Sequence, residues 1–116
     1  MLIPENTKIY LYNEVTDMRK SINTLCILVS DVLSLDPCSG YLFLFRNHRG
    51  NKLKALYYEQ NAFTLWYRRL EKGRFIFPKD AGGNIEMTRD HFVWLLASDK
   101  YARMDAMKHI AYKDFC

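Results

Sequence analysis

A strongly apolar, β-prone run, Tyr41-Leu42-Phe43-Leu44-Phe45-Arg46, constrains this chain more than any other stretch. Asn47-His48-Arg49-Gly50-Asn51 follows it with turn-forming residues, and Lys52 to Glu59 returns as a second β-prone segment. Strand, turn and strand in this order predict a hairpin with a basic tip.

The flanking segments fill out a layered fold. Lys8 to Tyr12 reads as a short strand rich in β-formers. From Met18 to about Leu33 the apolar residues Met18, Ile22, Leu25, Val29 and Val32 recur at steps of three and four, which predicts a helix with one buried stripe. Thr16 or Asp17 is placed to cap it, and Asp36-Pro37-Cys38-Ser39-Gly40 forms the next turn. The stretch Asn61–Gly73 fits two patterns. Phe63, Trp66, Tyr67 and Leu70 match a helical face between an Asn61 cap and Gly73, whereas Phe63, Leu65 and Tyr67 alternate as in a third strand. The helix is the preferred expectation. Arg74–Pro78 and Asn84–Met87 flank Gly82-Gly83 as a second small hairpin, and Thr88 caps a helix through Phe92, Leu95 and Leu96. The expected fold class is α+β, a mainly antiparallel sheet built from hairpins with two to three packed helices. Residues 1–98 form one domain in this reading, and 99–116 a polar, weakly periodic tail.

Composition sets the outer bounds. A chain of 116 residues suits one domain and can fold without a disulfide or a metal. No apolar run reaches the length of about 18 residues needed to span a membrane, and Met1–Glu5 lacks the layout of a signal peptide. Cys26, Cys38 and Cys116 contain no Cys-x-x-Cys pair and none of the paired spacing of structural zinc. Reduced thiols and a cytoplasmic setting are expected, with Cys26 packing as a small hydrophobe.

The net charge of +4 is unevenly spread. Between Arg46 and Arg74 lie eight basic residues, Arg46, Arg49, Lys52, Lys54, Arg68, Arg69, Lys72 and Arg74, against Glu59 and Glu71, a net of +6 that leaves −2 for the rest. Tyr57, Tyr58, Phe63, Trp66 and Tyr67 are interleaved with them. Cations replace phosphate counterions and rings stack on bases, so Arg46, Arg49, Lys52, Lys54, Arg68, Arg69 and Arg74 are the candidate nucleic-acid contacts. The bland alternative is a basic strand edge that resists aggregation, with the aromatics in the core. Trp66 and Tyr67 are the candidate partner-binding residues, of the types that dominate interface energies. Arg19 and Lys20 sit in the first turn of the predicted helix, where cations oppose the macrodipole; either Asp17 offsets them by capping, or the free N–H groups of the helix end and these two cations form an anion site, with Arg19 and Lys20 as contacts of second rank.

Catalytic patterns are absent from the sequence. His48, His91 and His109 accompany no Gly-x-Ser-x-Gly, His-Glu-x-x-His or phosphate-loop motif. Asp17, Asp31, Asp36 and Glu59 could serve a metal-dependent nuclease only if they converged, and the first three read as cap, helix surface and turn. No enzyme, no catalytic residue, no metal and no cofactor are expected.

Three blocks carry a family resemblance: Asp17-Met18-Arg19-Lys20-Ser21; Asp36-Pro37-Cys38-Ser39-Gly40 running on through Tyr41–Asn47; and Leu65-Trp66-Tyr67-Arg68-Arg69-Leu70-Glu71-Lys72-Gly73-Arg74-Phe75, closed by Pro78. In this order they resemble the TnpB accessory proteins of the insertion sequence 66 family, which share only a name with the RNA-guided nuclease. The resemblance runs from about Ile3 to Leu96; Ala62 stands where the family usually has glycine. It implies a non-catalytic protein that supports transposition beside a transposase and a small helix-turn-helix-like protein. Two functions follow as expectations: DNA binding through the basic surface, or a protein–protein adaptor docking on either of those partners.

Overall fold

The computed structural model describes residues 6–78 and 83–97. The elements in chain order are β1 (Ile9–Val15), α1 (Ile22–Asp31), β2 (Leu42–Arg46), β3 (Lys52–Glu59), β4 (Ala62–Arg69), β5 (Asn84–Met87) and α2 (Arg89–Ala97). Every residue from Leu42 to Phe45 is buried. A strand apolar on both faces needs cover on both sides, and β2 accordingly occupies the middle of a five-stranded sheet of order β4-β3-β2-β1-β5. On one face Phe43, Phe45 and Leu56 pack with Leu25 and Val29 of α1. On the other, Ile9, Leu11, Leu42, Leu44, Leu53 and Ala55 pack with Phe92 and Leu95 of α2. Each buried Leu or Phe contributes about 1.5–3 kcal/mol relative to exposure.

The sheet is mixed and mainly antiparallel. β1 and β2 run parallel, Ile9 beside Leu42 and Tyr12 beside Phe45. Parallel neighbours need a long crossover, which α1 supplies. The pairs β1–β5, β2–β3 and β3–β4 are antiparallel. The hairpin expected from the apolar run is β2–β3. The turn before β2 is fixed by Asp36, whose carboxylate accepts from Cys38 N–H at 2.9 Å, and by Gly40 at φ +86°. Cys26 is half-buried in the α1 cluster. At α2 the predicted cap is present: Thr88 Oγ1 accepts from His91 N–H at 3.1 Å.

Three expectations require correction. The segment expected as a helix over Asn61–Gly73 is strand β4. Gln60 and Asn61 adopt φ +51° and +60°, a two-residue hairpin turn, and the returning strand sets Phe63 against Tyr58 with ring centroids 4.9 Å apart. Pairing with an existing strand outweighs a helical pattern of short range. The first helix begins at Ile22, not Met18, because the Met18 and Lys20 carbonyls accept from Lys54 Nζ at 2.6 and 2.8 Å. Neither expected cap acts there: Ser21 is the N-cap residue without a side-chain bond, and the Thr16 hydroxyl is buried without a partner. Val32, expected in the stripe, is 58% exposed; Leu33 and Leu35 pack on the α1 cluster instead. Finally, Asn84–Met87 pairs with β1 rather than with Arg74–Pro78. Phe75 N–H donates to Gly50 O at 2.9 Å, tying that segment to the β2–β3 turn. Gly82 and the predicted tail from 99 to 116 lie outside the described residues.

Candidate nucleic-acid interface

Strand register gathers the basic residues at one end of the sheet. β2 ends at Arg46, β3 begins at Lys52 and β4 ends at Arg69. Arg46 lies beside Leu53 and Leu53 beside Arg68, while Lys52 lies beside Arg69. Alternation along a strand sends Arg46 and Arg68 to the α2 face, and Lys52, Lys54 and Arg69 to the α1 face. The β2–β3 turn projects between them. Asn47 builds it: its Oδ1 accepts from Gly50 N–H and Lys52 N–H, both at 3.0 Å, and its Nδ2 donates to Asn51 Oδ1 at 2.8 Å. Arg49 is therefore carried on a hydrogen-bonded tip. Arg74 joins it, because a Cβ built on Gly50 would stand 3.7 Å from the Arg74 Cβ. Glu59 sits at the opposite end of β3, beside Ala62.

These cations fall into two groups. Arg46 is half-buried; its Nε donates to Asn13 Oδ1 at 3.1 Å, its Nη2 to Asn13 O at 3.2 Å and its Nη1 to Asn47 O at 3.3 Å, with its guanidinium 5.4 Å from the Phe77 ring centre. Lys54 is 7% exposed. It ties the β1–α1 loop to the sheet through Met18 O and Lys20 O, and its Nζ lies 5.1 Å from the centre of the Tyr67 ring. Burial pushes its ammonium below the usual lysine value, opposed by the charge of Asp17. Arg69 pairs with Glu71 at 2.7 Å, which raises its own value. By contrast, the side chains of Arg49, Lys52, Arg68 and Arg74 have no hydrogen bond or ion pair among the described residues; Lys52 is half-buried and the other three are exposed.

Arg19 and Lys20 precede α1 instead of forming its first turn. Asp17 accepts from Arg19 N–H at 2.9 Å and from its guanidinium at 2.7–3.1 Å. These side-chain bonds, then the backbone bond, hold the Asp17 carboxyl well below the usual carboxylate range. The Arg19 charge is thus met inside the turn.

The five interleaved aromatics are not equally available. Tyr57, Tyr58, Phe63 and Trp66 are half-buried or packed at the hairpin, and Tyr67 is 48% exposed. Sequence reading missed Asn13, Asn47 and Phe77, the residues that fix Arg46 and the tip. Only Asn47, a turn residue after an apolar strand, carried a local signal. Among the described residues no group of three or more His, Cys, Asp or Glu side chains could hold a metal, and no helix is long and apolar enough to cross a membrane.

Fold and site together define an α+β protein that displays a cation-rich sheet end. The model of the family described as IS66 Orf2 like protein matches residues 7–106. The chain belongs to this family, which places it among the accessory proteins of insertion sequences. It is similar to uncharacterized protein y4hO of Sinorhizobium fredii (strain NBRC 101917 / NGR234), 33% identical over 93 residues that span 80% of this chain and 81% of the relative. A second protein of that strain, uncharacterized protein y4jC, is 32% identical over 97 residues, 84% of this chain and 83% of the relative. No solved structure matches the chain.

Proposed function

We propose that this accessory protein binds duplex DNA of its insertion sequence through phosphate contacts at the basic sheet end, without catalysing a reaction itself. The observation that carries this reading is the convergence of Arg49, Lys52, Arg68 and Arg74, unpaired among the described residues, around one hydrogen-bonded tip. Arg69 flanks them, with part of its charge engaged by Glu71. Arg46 and Lys54 support the surface from within, because three of the five Arg46 N–H donors and two of the three on Lys54 are committed to the protein's own carbonyls and to Asn13. With most of the aromatics packed into the protein, a stacking platform for single-stranded bases is a poorer fit than a phosphate surface. Arg19 and Lys20 lie outside this set.

The transposase and the small helix-turn-helix-like protein of the same element are the proposed protein partners, in the cytoplasm. Tyr67, exposed on the same end of β4, favours an adaptor role as the second reading, whereas Trp66 packs on the opposite face against the α2 cluster. DNA binding measured against salt separates the two. Each phosphate contact contributes about 0.9 to the slope of log affinity against log salt on duplex DNA. Replacing Arg49, Lys52, Arg68 and Arg74 together by glutamine lowers that slope by roughly 3 to 4. Absence of salt-dependent binding, alone or with the transposase, ends the DNA reading; co-purification with a partner would then support the adaptor.

A further inference from the structure

We propose that β4 pairs antiparallel with β4 of a second copy of this chain, with Trp66 on the two-fold axis, joining two sheets edge to edge. β4 is an eight-residue edge strand without proline, and no described element covers its outer side. Such an edge exposes a row of unpaired N–H and C=O groups, a template for another strand. The opposite edge strand, β5, is four residues long and leads at once into α2.

The hairpin turn determines which groups face outward. A two-residue turn makes Glu59 and Ala62 a hydrogen-bonded pair, after which bonded and non-bonded pairs alternate. The backbones of Ala62, Thr64, Trp66 and Arg68 therefore bond to β3, and Leu70 N–H to Asn51 O at 2.8 Å continues the series. Those of Phe63, Leu65, Tyr67 and Arg69 point away. Centring the dyad on Trp66 sets Phe63 against the partner's Arg69 and Leu65 against the partner's Tyr67. All four outward residues of each copy are then used, giving about eight backbone bonds. Centring on Leu65 instead sets Arg69 against the partner's Asn61, which lies in the turn at φ +60° and cannot continue a ladder.

Charge selects the same arrangement. Arg68 meets the partner's Thr64, and Arg69 meets the partner's Phe63, so no like charges face each other. Arg68 and Arg69 end up about 14 and 20 Å along the strands from their counterparts, beyond a screening length of about 8 Å. A parallel pairing would set them side by side. On the α1 face the seam also covers Tyr67, one of the exposed large apolar side chains. The proposal stands independently of DNA binding.

Light scattering and sedimentation of the full chain test it. The expected result is a dimer. Thr64→Arg, at an exposed position, puts a new guanidinium against the partner's Arg68 twice per dimer and raises the dissociation constant about tenfold. Adding Arg68→Glu restores dimerisation by turning that repulsion into attraction. Tyr67→Pro removes an outward N–H without touching a bond to β3, and abolishes the dimer while circular dichroism stays native; should it unfold the chain, the Thr64 and Arg68 variants decide. A wild-type monomer at about 100 μM, a dimer indifferent to Thr64→Arg, or failure of Arg68→Glu to restore it overturns the proposal, as does a folded Tyr67→Pro dimer.

Discussion

Replacing Lys54 by methionine separates stability from DNA affinity more sharply than any other single change. Lysine and methionine have similar stems, so packing against β4 survives while the ammonium disappears. Two bonds are lost, from Nζ to Met18 O at 2.6 Å and to Lys20 O at 2.8 Å. A hydrogen bond to a charged group contributes about 1.5–3 kcal/mol, and the placement over the Tyr67 ring at 5.1 Å adds about 0.5–1 kcal/mol. Against this, methionine escapes the cost of burying a charge at a 7% exposed position, and Met18 and Lys20 are only half-buried residues. The net loss is about 2–3 kcal/mol, a fall of roughly 10 °C in Tm for a chain of this size. Differential scanning calorimetry measures it. Salt-dependent binding below the melting range supplies the second readout, and the log–log slope should stay at the wild-type value. A Tm change under about 2 °C would refute the assignment of Lys54 to the loop anchor. A slope reduced by about 0.9 would return Lys54 to the phosphate contacts.

Two further outcomes are expected. The Asp17 carboxyl titrates well below its ordinary value of about 4, because ionised Asp17 is bonded to Arg19 in the fold. Its stabilising contribution is full above that ordinary value and is lost only as pH falls through the lowered one; carbon-detected NMR titration should show this, with Arg19→Gln returning the midpoint toward the ordinary value. Gly50→Ala costs about 1–2 kcal/mol from backbone strain at φ +80° rather than from a clash, since the new Cβ meets Arg74 at an ordinary 3.7 Å; thermal unfolding measures the loss, and an unchanged Tm refutes it.

How far the fold could be read in advance depended on the range of the deciding interaction. The β2–β3 hairpin, the Asp36–Gly40 turn and the Thr88 cap each rest on residues within a few positions of one another, so local patterning reported them. β4 misled because Phe63, Trp66, Tyr67 and Leu70 satisfy a helical spacing, while the left-handed turn at Gln60 and Asn61 brings the same residues back along β3. β5 misled for a longer-range reason: its partner is β1, more than seventy residues earlier at Ile9 and Met87. The basic stretch was legible as charge. Its division into structural and available cations was not, because Asn13 and Arg46 are 33 residues apart, and Lys54 and Met18 are 36 apart.

The sequence by itself determined the α+β class, an apolar, β-prone strand over Tyr41–Arg46 and a cationic segment from Arg46 to Arg74. These follow from residue type and short spacing, which set local backbone preference and net charge without reference to the rest of the chain. Tertiary structure alone decided that β1 and β2 run parallel, that both sheet faces are covered, and that Arg49, Lys52, Arg68 and Arg74 surround one tip while Arg46 and Lys54 turn inward. The physical reason is burial: a cation's role depends on whether carbonyls or water surround it, and only the packed sheet fixes which.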